Sequence, residues 1–152
     1  MIYPMNFYTA KTDEVDLVLR EMRALVKRAE PRREFVPVER VANNDPDKIE
    51  FREGEWTRSP WSGMRCMLTH SDHGTGAKYV LCEVQTAIDL GVHRHPVHAE
   101  EVIMMEGAME DVIMGKTIYP GIRYKIGPGV AHWPVFSAPA LFMVVFRPAG
   151  RE

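Results

Sequence analysis

From residue 35 onward, Pro, Gly, Asn or Asp recurs every several residues, and the runs between them are short and rich in β-branched and aromatic types. Such punctuation suits short strands joined by tight turns, because these four residues set the special backbone angles of turns while the runs between them suit a pleated surface. The spacing predicts strands near 35–39, 48–52, 62–69, 77–86, 90–95, 100–106, 109–114, 116–119, 122–126 and 140–147. Turns fall at Ser71 to Gly76, Met114-Gly115-Lys116, Pro120-Gly121 and Gly127-Pro128-Gly129. Many short strands at this interval imply an all-β sandwich or barrel.

The segment before residue 35 follows a different rule. Val15, Val18, Leu19, Met22, Leu25, Val26 and Ala29 recur at helical spacing, which predicts an amphipathic helix over 13–29. Thr12 stands at its N-cap, Asp13 and Glu14 lie in the positive first turn, and Pro31 follows its end. The division expected is therefore an N-terminal segment, 1–34, and a β-domain, 35–152. A helix with one apolar stripe must bury it against its own domain or a second subunit, and a homodimer is the expected state.

The chain has 152 residues, 19 basic against 21 acidic side chains and a net charge of −2. A chain of this length buries enough surface to hold a core without disulfides, and a near-neutral balance with no basic run gives no footprint for nucleic acid. No stretch approaches the ~20 apolar residues that span a bilayer, and the N-terminus has no signal-peptide pattern, so a cytoplasmic protein is expected. The two cysteines, Cys66 and Cys82, read as free core thiols that would face each other if residues 70–77 form a hairpin turn. Ten methionines, among them Met104, Met105, Met109 and Met114, suit an irregular apolar interior.

Chemistry concentrates in the histidines. In an extended strand, alternate side chains share a face, so His93 and His95 are preset to meet one ion while Arg94 points away. After the bend at Pro96, Glu100 can return a carboxylate to that ion, and a later strand can bring His132 alongside. A single buried histidine is usually a hydrogen-bonded core residue, whereas three imidazoles with one carboxylate are what a divalent transition metal requires. By contrast, His98 reads as a supporting or exposed residue of the turn, and His70 and His73 read as solvated.

These residues resemble two signatures of the cupin superfamily. His93-x-His95, four residues, Glu100, six residues and Gly107 resembles G-x5-H-x-H-x3-4-E-x6-G. Gly121, five residues and Gly127-Pro128-Gly129-x-x-His132 resembles G-x5-P-x-G-x2-H-x3-N, after an intermotif stretch of 13 residues. Ala87 replaces the first glycine, Gly127 the usual proline and Phe136 the usual asparagine, and none of the three is a ligand. The resemblance implies a double-stranded β-helix, or jelly-roll barrel, with His93, His95, Glu100 and His132 around a divalent ion. Fe(II) is the first choice, with Mn(II), Ni(II) or Zn(II) also suited to these ligands.

The layout before and through the first signature is similar to short cupins that include acetylacetone-cleaving dioxygenases and ChrR-like sensor domains. It implies a mononuclear iron dioxygenase acting on a small enolisable ketone or diketone. The other readings are a non-catalytic metal- or effector-binding barrel and a redox-neutral isomerase or lyase. Strand alternation from Glu100 gives Val102, Met104 and Glu106 as pocket residues, with Tyr124, Trp133 and Phe142 as apolar neighbours. By default, each of these is core.

Overall fold

A computed structural model describes residues 6–9, 50–59 and 63–151 of the chain. Every regular element among them is a strand. A seven-stranded antiparallel sheet contains β1 (Asn6–Thr9), β2 (Trp56–Arg58), β3 (Met64–Ser71), β4 (Lys78–Val84), β6 (His98–Glu106), β9 (Ile122–Ile126) and β11 (Ala140–Pro148). Its spatial order is β1-β9-β6-β11-β4-β3-β2. A four-stranded sheet of order β5-β10-β7-β8 is built from β5 (Ile88–Asp89), β7 (Met109–Asp111), β8 (Lys116–Ile118) and β10 (Pro134–Phe136). The helix expected over 13–29 and the strand over 35–39 lie outside the described residues.

Alternation sorts the side chains of the larger sheet into two sets. Cys66, Leu68, Val80, Cys82, Val102, Met104, Tyr124, Ile126, Phe142 and Val144 face inward and meet Met109, Ile118 and Phe136 of the smaller sheet in one apolar cluster. Met67, Leu81, Ile103, Met105, Leu141, Met143 and Val145 form a second buried cluster on the opposite face. The long central strands β6 and β11 therefore read as nearly continuous apolar runs, as strands buried on both faces do.

The hairpin around Ser71 to Gly76 forms as expected: Asp72 Oδ1 accepts the Gly74 N–H at 2.9 Å, and Gly76 N–H donates to the Asp72 carbonyl at 2.7 Å. That turn sets Cys66 opposite Cys82, with their sulfurs 3.4 Å apart, both thiols free and buried. The hydrogen bond with Cys66, and then burial, hold the Cys82 thiol well above its ordinary pKa.

The expected strand over 90–95 is replaced by a single bridge between His93 and His132. Gly91 takes φ 68° and Pro96 lacks an N–H, which together stop a regular ladder from forming. Residues 51–52 are likewise not in a strand. Three short strands have no alternating signal of their own: β1, β2 and β10 are stabilised by pairing with β9, β3, and β5 and β7.

Candidate metal centre

Two loops are tied together where the histidines lie. His93 N–H donates to the His132 carbonyl at 3.0 Å, and His132 N–H returns a bond to the His93 carbonyl at 2.9 Å. One residue pair thus exchanges both backbone bonds, which fixes the two side chains next to each other. Gly129, at φ 74°, donates its N–H to the His95 carbonyl at 2.9 Å and locks the second loop to the first. Gly107 ends the first motif at φ 79°, where a Cβ would stand 2.7 Å from the Pro139 carbonyl oxygen, so only glycine fits the turn out of β6.

The three imidazoles converge. One donor nitrogen from each of His93, His95 and His132 lies within 4.8 Å of the others. Their ring centroids are 4.1 Å apart for His93 and His132, 5.3 Å for His93 and His95, and 5.4 Å for His95 and His132. His93 Nδ1 donates to the Gly91 carbonyl at 3.1 Å, which selects the tautomer that leaves Nε2 as the ligand atom.

Glu100 enters from the inner face of β6. Its Oε2 lies 2.8 Å from His95 Nε2 and 3.4 Å from His132 Nε2. Phe146, directly across from Glu100 on β11, sets its ring 5.1 Å from the His95 ring. Nothing in its sequence context distinguishes Phe146 from the other apolar residues of β11; only the register makes it a neighbour of the ligands.

Electrostatics prepares the cluster for a cation. Burial would raise the Glu100 carboxyl, but the three surrounding histidines outweigh it and hold the group at about 2, fully ionised. Burial, and then the adjacent His132, lowers His93 to about 4, and burial lowers His132 as well. At neutral pH, these two rings are unprotonated ligands beside a carboxylate. Glu100 Oε2 and both ring nitrogens of His132 are buried without a well-formed hydrogen bond. Orphaned buried polar atoms are costly, and their convergence here fits a cation-binding site. An N3O donor set suits Fe, Mn, Ni or Zn.

The remaining sequence-predicted residues separate. Val102, Met104, Tyr124 and Phe142 lie in the inner apolar cluster below the ligands. Trp133 is half-buried and donates through Nε1 to Asp89 Oδ1 at 2.7 Å. Glu106, expected on the pocket side, is exposed: the register of β6 against β11 shifts between Leu141 and Phe142, at the end of the strand where Glu106 lies. His98 is buried, its ring 6.3 Å from Phe146, while His70 and His73 are exposed.

Sequence reasoning passed over Asp111, which is fully buried where β7 turns toward β8. Its Oδ1 accepts the N–H groups of Ile113 and Met114 at 3.0 and 3.3 Å, and its Oδ2 accepts the Tyr124 hydroxyl. Burial and this bond push the Tyr124 hydroxyl far above its ordinary pKa. The available signal was an aspartate two and three residues before the turn residues whose amides it caps.

No protein-family model matches the sequence, and no curated protein does. Solved structures do share the fold. KdgF from Halomonas sp. aligns at a TM-score of 0.55 and 18% identity, over 61% of this chain and 86% of that one. An RmlC-like cupin from Shewanella frigidimarina NCIMB 400 aligns at 0.52 and 19%, over 69% and 88%. An acetylacetone dioxygenase from Acinetobacter johnsonii aligns at 0.52 and 18%, over 76% and 80%. The chain has the cupin fold, and its three clustered histidines can hold a metal ion.

Proposed function

We propose that this cupin-fold chain is a mononuclear metal enzyme, with iron(II) as the metal, that oxidatively cleaves a small enolisable ketone or diketone. The observation that carries this reading is the convergence of three imidazoles, with Glu100 Oε2 2.8 Å from His95 Nε2 and 3.4 Å from His132 Nε2. The likeness to an acetylacetone dioxygenase supports the choice of reaction.

His93, His95, His132 and Glu100 would hold the ion, giving a divalent metal a residual positive charge. When bound, iron(II) supplies Lewis acidity toward an enolisable carbonyl and the redox chemistry that dioxygen needs. The chain does the rest. The paired backbone bonds of His93 and His132 fix two ligands before any ion arrives, and the Gly91 carbonyl orients the His93 ring. Beneath the ligands, Val102, Val144 and Tyr124 fill the barrel and exclude water from that side, so substrate must enter from the opposite end.

Oxygen uptake tests the reading. Iron(II)-loaded protein is expected to consume dioxygen in the presence of a 1,3-diketone or an enolisable keto acid, with loss of the starting compound. Binding such compounds without consuming either reactant would overturn it and favour a non-catalytic barrel.

A further inference from the structure

The clustered ligands belong to two separate layers. Glu100 stands on β6 of the larger sheet, whereas His132 leads into β10 of the smaller sheet and is bridged to His93. The gap between the layers therefore sets how far the carboxylate stands from the imidazoles. Ligands of a metal must be held to within about 0.5 Å, and apolar packing, which has no direction, fixes such a gap only loosely.

A directional bond crosses the gap beside the ligands. Tyr124 on β9 gives its hydroxyl hydrogen to Oδ2 of Asp111 on β7. Each end is tied to one ligand. Tyr124 stands directly opposite Val102, two residues along β6 from Glu100. It is thus a diagonal neighbour of Glu100 on the inner face, at a backbone spacing of about 7–8 Å. Asp111 stands directly opposite Pro134, two residues beyond His132. Its Oδ1 accepts the Trp133 N–H at 3.5 Å, while the next residue, Val112, donates its own N–H to the Trp133 carbonyl at 3.0 Å. The residue after His132 is therefore held through both of its backbone groups.

Burial favours the bond. Tyr124 and Asp111 are both fully buried, and a charge-assisted hydrogen bond is strongest where no water competes with it. The amides of Ile113 and Met114 hold the other carboxylate oxygen, so Asp111 is complete without a metal ion and is not a ligand. What it contributes is position. Each end is also close enough to feel the neighbouring ligand: the Asp111 charge favours a protonated His132 ring, and the Glu100 charge opposes ionisation of Tyr124.

We propose that Tyr124 and Asp111 are positioning residues of the metal centre, their cross-sheet bond setting the separation of Glu100 from His132 and with it the affinity of the site for a divalent ion. The inference rests on the proposed metal-dependent reading and adds two supporting residues to it.

The test titrates zinc(II), and separately cobalt(II), whose visible absorption reports the geometry of its ligands, into the full chain and its variants. Tyr124→Phe removes the hydroxyl and keeps the ring. Asp111→Ala removes the other end, whereas Asp111→Asn keeps the shape and lets an amide donate to the Tyr124 oxygen. Tyr124→Phe and Asp111→Ala are each expected to weaken zinc binding about tenfold, the lower end of the cost of losing a group that orients a ligand, and to change the cobalt spectrum. The double variant should also lose about tenfold and not a hundredfold, because both changes cut the same bond. Asp111→Asn should keep most of the affinity. If Asp111→Ala folds poorly, Tyr124→Phe set against Asp111→Asn carries the comparison. A lower melting temperature with zinc affinity and cobalt spectrum unchanged would make the bond merely structural and overturn the proposal, as would losses that multiply in the double variant. The two readings fail separately. An unaltered chain that binds neither ion sinks the metal centre and this inference with it, while tight binding that the variants leave untouched sinks this inference alone.

Discussion

Glu100 and Glu101 are neighbours in β6, both buried, and they face opposite sides of the sheet. On the inner side, Glu100 meets the ring nitrogens of His95 and His132. On the outer side, Glu101 is gripped by cations: Arg123 Nε donates at 2.9 Å and its Nη2 also bonds the carboxylate, with Arg147 Nη1 at 3.4 Å and Lys125 Nζ at 3.6 Å. Asp111 makes a third case, satisfied by backbone amides and the Tyr124 hydroxyl. Burial of a carboxylate therefore does not define a functional site. Permanent cations and amide donors complete Glu101 and Asp111 within the chain, whereas Glu100 faces imidazoles whose remaining ring nitrogens offer lone pairs, the donor set that a metal ion uses.

The sharpest way to break this contrast is to neutralise each glutamate in turn. Glu100→Gln or His132→Ala should lower affinity for a divalent metal by at least ~100-fold, beyond the 10- to 100-fold cost of losing a mere supporting group. Isothermal titration checks this, with little change expected in the melting temperature of the metal-free protein. Glu101→Gln should do the reverse. Neutralising a buried carboxylate held by three partly exposed cations is expected to cost about 1–3 kcal/mol, a drop of several degrees in melting temperature, with metal affinity intact.

Asp111 extends the comparison through pH. The Tyr124 pKa is raised in the folded chain, so its contribution is fully present below the unfolded value of ~10 and is lost as pH rises beyond that. Denaturant unfolding should show stability falling from about pH 10 upward, and the slope should be shallower in Tyr124→Phe. An unchanged slope would mean that the hydroxyl is not held protonated by Asp111. The smallest effect belongs to Glu106, exposed at the end of β6. Glu106→Gln is expected to change stability by less than ~0.5 kcal/mol and to leave metal binding alone.

Much of the site was legible because its spacing carries physics. His93 and His95 are separated by one residue, Pro96 forces the chain to bend, and Glu100 follows at the start of a long apolar strand. Even so, the structure reaches this arrangement by another route than regular strand alternation: His93 is held by an isolated bridge to His132, and residues 94–97 are irregular. It is the register of β6 against β9 and β11 that turns Glu100, and not its neighbour Glu101, toward the histidines. Phe146 was hidden for the same reason: it gains its place from a cross-strand neighbour far away in sequence, and a local pattern cannot report which residue will stand opposite. The short strands β1, β2 and β10 are likewise products of pairing, with too few residues to show a period.

The most direct measurement is metal content and ligand identity in the intact protein. Elemental analysis after reconstitution with iron(II), joined to X-ray absorption at the metal edge, should give one ion per chain with a shell of histidine nitrogens and carboxylate oxygen, reduced in Glu100→Gln and lost in a His93/His132 double alanine variant. An intact chain that binds no first-row metal, or one whose ion survives replacement of both histidines, would contradict the assignment of these four residues to a common centre.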